Sequence, residues 1–130
     1  MTDQTIEKEI QAKGANVAPR ITPADIEANI LSTWYFTGSD GAYGAALRGV
    51  PYDQQPPVPV GHPLTLLTFC VLVLRNGFTV TGESACASPE NFNAEIGQKI
   101  ARQNAVAKIW PLMGYELKTR IEAEKTFGQG

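Results

Sequence analysis

The segment that most constrains this chain runs from Leu64 to Cys86. Leu64-Thr-Leu-Leu-Thr-Phe-Cys-Val-Leu-Val-Leu74 leads straight into Arg75-Asn-Gly-Phe-Thr-Val-Thr-Gly-Glu-Ser-Ala-Cys86. Asn-Gly is the preferred pair for a type I′ turn, and β-branched and aromatic residues flank it here, so a β-hairpin is predicted over about residues 64–87. A two-residue turn at Asn76-Gly77 pairs Arg75 with Phe78, Val73 with Val80, Val71 with Gly82 and Phe69 with Ser84. One face then carries Leu67, Phe69, Val71, Val73, Phe78 and Val80. The other carries Leu66, Cys70, Leu72 and Leu74 beside Thr79, Thr81 and Glu83. A first strand apolar on both faces belongs inside a sheet covered on both sides. On this pairing Cys70 and Cys86 point to opposite faces, and no disulfide is expected.

Beyond the hairpin the chain turns helical. Ser88-Pro89-Glu90 offers a cap, a proline at the first helical position and an early carboxylate. From about residue 89 to 110 the residues separate into three faces. Phe92, Ile96, Ile100, Ala107 and Trp110 form a bulky apolar stripe, expected to fill the space over the sheet. Ala94, Gly97, Ala101 and Ala105 form a stripe of small side chains, expected to admit a second backbone, either that of the helix capped by Thr22 or that of another copy of the chain. Glu95, Gln98, Lys99 and Arg102 form the wet side. Pro111 is expected to kink or end this helix. A further, more polar helix comes next on Leu117 and Ile121, and Thr126 to Gly130 are expected to be loose.

The N-terminal half is less regular. Residues 4–13 suggest a short helix with Ile6 and Ile10, too weakly anchored to stand alone, so residues 1–20 are expected to be mobile. Thr22-Pro23-Ala24-Asp25 is a capping-box variant opening a helix with Ile26, Ile30 and Leu31 on its apolar side. Trp34-Tyr-Phe36 favours strand. Residues 37–63 hold five of the 9 prolines and five of the 12 glycines and predict one long loop. The expectation is one α+β domain over residues 1–130, with a small antiparallel sheet on a long helix and an ordered core over residues 64–125.

Several function classes are disfavoured. Eleven basic against 13 acidic residues, with no Lys/Arg run, give no footprint for duplex nucleic acid or an anionic membrane. The longest mostly apolar run, Leu64 to Leu74, is too short to span a bilayer, and the first ten residues lack a secretory pattern. The single histidine, His62 in Gly61-His-Pro63, reads as a turn residue, and the two thiols have no zinc spacing, so no metal or other cofactor is expected. Ser84 in Gly82-Glu-Ser-Ala-Cys86 fails the nucleophile-elbow pattern at its last position. No catalytic set emerges, and the chain is not expected to be an enzyme. Glu83 reads plainly as part of a solvated strand face. A polar contact to a ligand along Thr79, Thr81 and Glu83 is the functional alternative.

The run Leu74 to Cys86, then Pro89-Glu-Asn-Phe-Asn-Ala-Glu-Ile-Gly97, Lys99-Ile-Ala-Arg102 and Ile109-Trp-Pro-Leu-Met-Gly-Tyr-Glu-Leu117, resembles the small tailed-phage accessory family called Gp-forty-nine-like. The resemblance also takes in Arg20 to Ile30 and leaves residues 37–63 as an insert. Asn93 stands where family members often carry Asp. The resemblance implies a bacteriophage accessory protein of the host bacterial cytoplasm and supplies no catalytic residues. By analogy with small phage proteins that counter host defence, it suggests an immune-evasion sponge: a homo-oligomer sequestering a cyclic nucleotide-type signal. On that reading Lys99 and Arg102 meet phosphates, Thr81 and Glu83 read polar edges, and Phe78, Tyr43 or Tyr52 stacks on a base. Gly97, Ala101 and Ala105 form the subunit contact. The alternative is a protein–protein module, virion-associated or inhibiting a host protein, that docks through the proline-rich loop and Trp34-Tyr-Phe36 without a small-molecule ligand.

Overall fold

Among the described residues, three strands and four α-helices are arranged around a contact between small residues. The computed structural model describes residues 2–128. In chain order they are α1 (Asp3–Ala12), α2 (Pro23–Ala28), β1 (Ile30–Thr37), α3 (Gly38–Ala46), β2 (Leu67–Leu74), β3 (Thr79–Ala85) and α4 (Ala94–Gly128). The sheet is antiparallel with order β1-β2-β3, and α4 lies across one of its faces. This is the expected α+β architecture, with the hairpin joined by a third strand.

The hairpin register differs by one residue from the expected one. The connection has three residues, Arg75 to Gly77, closed by Leu74 N–H donating to Phe78 O at 2.8 Å and Gly77 N–H to Leu74 O at 2.9 Å. Gly77 takes φ +89°, the left-handed position that a three-residue loop assigns to glycine. Leu72 therefore pairs with Val80, Cys70 with Gly82, Val71 with Thr81 and Phe69 with Glu83. Because side chains alternate, that slip moves all of β3 to the other face. Val80 turns inward with Cys70, Leu72 and Leu74, while Thr79, Thr81 and Glu83 turn out beside Val73, Val71 and Phe69. Cys86 N–H donates to Leu66 O, which continues the same pairing, so the two cysteines share a face rather than opposing one another; both are free thiols.

The expected helix faces are exchanged. The small stripe does admit a second backbone, but it is that of the sheet, not of the Thr22-capped helix or another copy: Ala101 and Ala105 are 0% exposed and Gly97 is buried. They pack with Val106 and Ile109 on Cys70, Leu72, Leu74 and Val80, joined by Ile26 of α2. The bulky residues Ile96 and Ile100 point outward. The cause is Gly82. A Cβ built there would lie 2.2 Å from Ala101 O and 2.3 Å from Ala105 N. Strand and helix backbones thus approach to a distance that only a missing side chain permits. Gly97 makes the corresponding approach to Thr68 Oγ1. The subunit contact expected at Gly97, Ala101 and Ala105 is therefore already filled by the chain's own sheet.

Other boundaries also move. Helix α2 stops at Ala28, so Ile30 and Leu31 enter β1, where Ile30 pairs with Leu74. Ser88-Pro89-Glu90 opens only a short 3-10 turn, and α4 is started by Asn93, whose Oδ1 accepts from Ile96 N–H at 3.0 Å. Within residues 37–63, expected to lack regular structure, Thr37 and Asp40 form a reciprocal capping box that starts α3. Pro111 does not end α4, which is continuous over 35 residues. Ala107, whose carbonyl loses its helical donor to the proline ring, is on the exposed side, where water can bond it instead. The looseness expected of residues 126–130 fails up to Gly128, and residues 129–130 lie outside the described span.

The outer sheet face stays largely uncovered. Trp34 is 61% exposed, and Val71 and Val73 are half-buried. Helix α3 shields one end, with Gly41 against the Phe36 ring and Phe36 stacked on Phe69 at 5.4 Å.

Two glycine substitutions test this packing. Gly82→Ala should cost on the order of 3 kcal/mol or more in urea unfolding, because the new methyl meets backbone atoms that cannot rotate away. Gly114→Ala, in open space on α4, should instead stabilise by about 0.5–1 kcal/mol. A loss below about 1 kcal/mol for Gly82→Ala would show that α4 does not rest on β3 there.

Candidate functional site

Because α4 sits on the sheet through its narrow side, its flank toward β1 and α2 is left open. A groove of 560 Å³ runs there, lined chiefly by Tyr35 of β1, Glu27 of α2, Lys99, Arg102 and Trp110 of α4, and Asp3 of α1. On α4, the positions 99, 102, 103, 106 and 110 recur at three- and four-residue spacings, which makes them one side of the helix. Tyr35 reaches the groove because it pairs with Cys70 and so faces the helix side of the edge strand.

The central pair is Arg102 with Glu27. Arg102 Nη1 donates to Glu27 Oε1 at 3.0 Å and Nη2 to Oε2 at 2.8 Å, a bidentate fork between elements far apart in sequence. The Arg102 side chain is 31% exposed and that of Glu27 55%. Hydrogen bonding to Arg102 lowers the Glu27 carboxyl from its ordinary range, and the carboxylate in turn raises the guanidinium. Burial raises the Tyr35 phenol and the Cys70 thiol behind it, keeping both protonated at neutral pH. Lys99 is more exposed and pairs with Glu95, one turn back, at 3.3 Å.

At the far end, Trp110 Nε1 donates to Asp3 Oδ2 at 3.1 Å, tying α1 to α4. A second tie holds α1 in place: Arg20 grips Glu7 through both guanidinium nitrogens, Nη1 to Oε2 at 2.9 Å and Nη2 to Oε1 at 2.5 Å. Under α1 these contacts leave a smaller apolar cavity of 240 Å³ between Ile6, Ile10, Ile21 and Trp110.

The residues singled out from sequence divide between two surfaces. Lys99 and Arg102 line the groove. Thr81 and Glu83 lie on the outer sheet face, and Asn104 Nδ2 donates to the backbone oxygen of Glu83 at 2.8 Å. Phe78 sits beside the hairpin loop, 56% exposed. Tyr43 packs edge-on to His62, whose Nδ1 accepts from Leu64 N–H, a turn role as expected. The proposed set therefore does not assemble as one site. Tyr35, Glu27 and Asp3 join the two cations instead. Glu27 could not be found from local pattern, because its partner lies 75 positions away. Among the described residues no three His, Cys, Asp or Glu side chains are grouped to hold a metal ion.

The fold and groove define a small α+β protein with one face of its sheet sealed by a helix and an amphipathic, charge-paired cleft at the helix flank. The chain belongs to the phage protein (N4 Gp49/phage Sf6 gene 66) family, whose model matches residues 21–121. Helix α1 precedes that span, which runs on through residues 37–63. No curated protein and no solved structure matches the chain. No helix among the described residues is long and apolar enough to cross a membrane.

The Glu27–Arg102 pair carries a pH signature. A carboxyl lowered in the fold stabilises the native state fully above its ordinary value of 4.5, and that contribution is lost as pH falls through the lowered value. The Tm difference between the wild type and Glu27→Gln should therefore be largest near neutrality and shrink below about pH 4. A difference that is flat from about pH 7 to about pH 3 would show that the pair adds no stability.

Proposed function

We propose that this phage protein is a non-catalytic binder that captures a phosphate-bearing, cyclic nucleotide-type signal of the infected cell, and so serves immune evasion from the host cytoplasm. One observation supports the reading: Lys99 and Arg102 border the same groove as Tyr35 and Trp110. Its volume of 560 Å³ falls in the range of small-molecule sites. Two cations and two aromatic rings are the chemistry a nucleotide asks for, phosphate at one end and base at the other. Thr81, Glu83 and Phe78 have no part in this version of the site. Sequestration needs affinity and no bond-breaking machinery, which agrees with the lack of a nucleophile–base arrangement in the sequence.

Thermal shift with cyclic dinucleotides, cyclic trinucleotides and cyclised ADP-ribose checks the reading. At least one should raise Tm by about 3 °C or more, because a ligand of the native state alone must stabilise it. Arg102→Ala should abolish that rise. A flat response across the panel removes the nucleotide reading.

The uncovered sheet face favours a second reading. Trp34 is 61% exposed, yet its Nε1–H is already satisfied by Ser32 Oγ at 3.0 Å. Its ring can thus be covered by an apolar surface without stranding a donor. On this reading the protein works by docking that face on a host protein, and the homo-oligomer expected from sequence would use it too, since the glycine–alanine stripe is occupied. Sedimentation velocity distinguishes self-association. A mass rising with concentration in the wild type and fixed in Trp34→Glu supports self-pairing through the face, whereas identical behaviour of the two proteins rejects it.

A further inference from the structure

Glu27 places a carboxylate on the same two nitrogens that a phosphate would take. Arg102 offers its fork to the groove, and both arms are filled at 3.0 and 2.8 Å. Carboxylate and phosphate present the same bidentate acceptor geometry to guanidinium. We infer that Glu27 is a built-in competitor: it holds the anion site of the groove closed to simple phosphates and admits only ligands with enough further contacts to displace it. This inference rests on the groove being the binding site and assigns to Glu27 the setting of its selectivity.

Three features make the arrangement a gate rather than a fixed strut. Helix α2 is pinned without help from Glu27, by Ile26 at 1% exposure and by the reciprocal capping box of Thr22 and Asp25. The Glu27 side chain is 55% exposed, so rotation about its own bonds releases the fork. Arg102, by contrast, is anchored next to Ala101, which is sealed on the sheet. The other groove carboxylate, Asp3, is engaged with Trp110, which leaves Glu27 as the acid that occupies the cation.

The chemistry is one of exchange. An arriving anion must break the two bonds to Glu27 before forming its own, and the released carboxylate then repels it. Inorganic phosphate has nothing further to offer and stays out. A ligand with a second phosphate within reach of Lys99, or a ring against Tyr35 or Trp110, gains contacts that Glu27 cannot match. Such selectivity would let a binder ignore abundant phosphate while holding a scarce signal.

Pyrophosphate and orthophosphate, titrated calorimetrically at low ionic strength, test the gate without any nucleotide. Glu27→Gln and Glu27→Ala, two variants at a largely exposed position, should each bind pyrophosphate at least about tenfold more tightly than the wild type. Orthophosphate should bind measurably only to the variants. Glu27→Gln/Arg102→Gln should lose the gain. Unchanged pyrophosphate affinity in both single variants, including no binding by any of the proteins, overturns the inference, as does a double variant that binds as tightly as Glu27→Gln. The nucleotide panel fails or succeeds separately: a gain for pyrophosphate with a flat panel leaves the gate standing and removes only the nucleotide as its ligand.

Discussion

The close approach of α4 to β3 at Gly82 is the contact on which the other features depend. It sets the height of the helix above the sheet, because Ala101 and Ala105 meet a strand backbone there with no side chain between them. At that height Leu72, Val80, Ile109 and Ile26 close into one dry layer. A larger residue at position 82 would lift the helix and open the layer, a cavity cost that a core this small cannot spread over many contacts. The open flank has the same origin. A helix seated on its narrowest side leaves its next row, Lys99 through Trp110, hanging beside the edge strand instead of over it.

The same contact explains which parts of the sequence could be read directly. The hairpin, the long helix and the stripe of small residues were visible as patterns, because hydrophobic periodicity and turn dipeptides are local signals. The direction in which the stripe faced was not. Small residues on a helix say that some backbone comes near; whether it is a strand of the same chain or another helix depends on what stands opposite. Here it is Gly82, and recognising it required the correct hairpin register. That register turned on a single residue in the loop, since Asn-Gly serves both two- and three-residue connections. One misplaced residue in the turn moved Val80 and Gly82 to the wrong face and with them the partner of the stripe.

Helix boundaries failed for a related reason. Ile30 and Leu31 carry on the helical spacing of Ile26, yet pairing of Ile30 with Leu74 adds a strand to the sheet, and tertiary pairing outweighs the weak preference of one more helical turn. Pro111 shows the converse. A residue that ordinarily breaks helices is accommodated where the freed carbonyl faces water and the flanking residues on both sides remain anchored.

The two faces of the sheet also divide the chemistry. Sequence alone grouped Lys99 and Arg102 with Thr81 and Glu83 by their chemistry, cations for phosphates and polar side chains for base edges. The observed register separates them by the thickness of the sheet, so no single ligand of nucleotide size touches both sets. In place of the polar strip stands Glu27, which sequence could not connect to Arg102. That exchange changes the character of the site from an open cationic patch to a cation already matched by an acid. A patch would attract every phosphate in its surroundings; a matched pair binds only what outcompetes its own partner. Selectivity in such a groove therefore comes from the internal ion pair as much as from the shape of the walls, and the helix seat at Gly82 is what holds the two halves of that pair in reach.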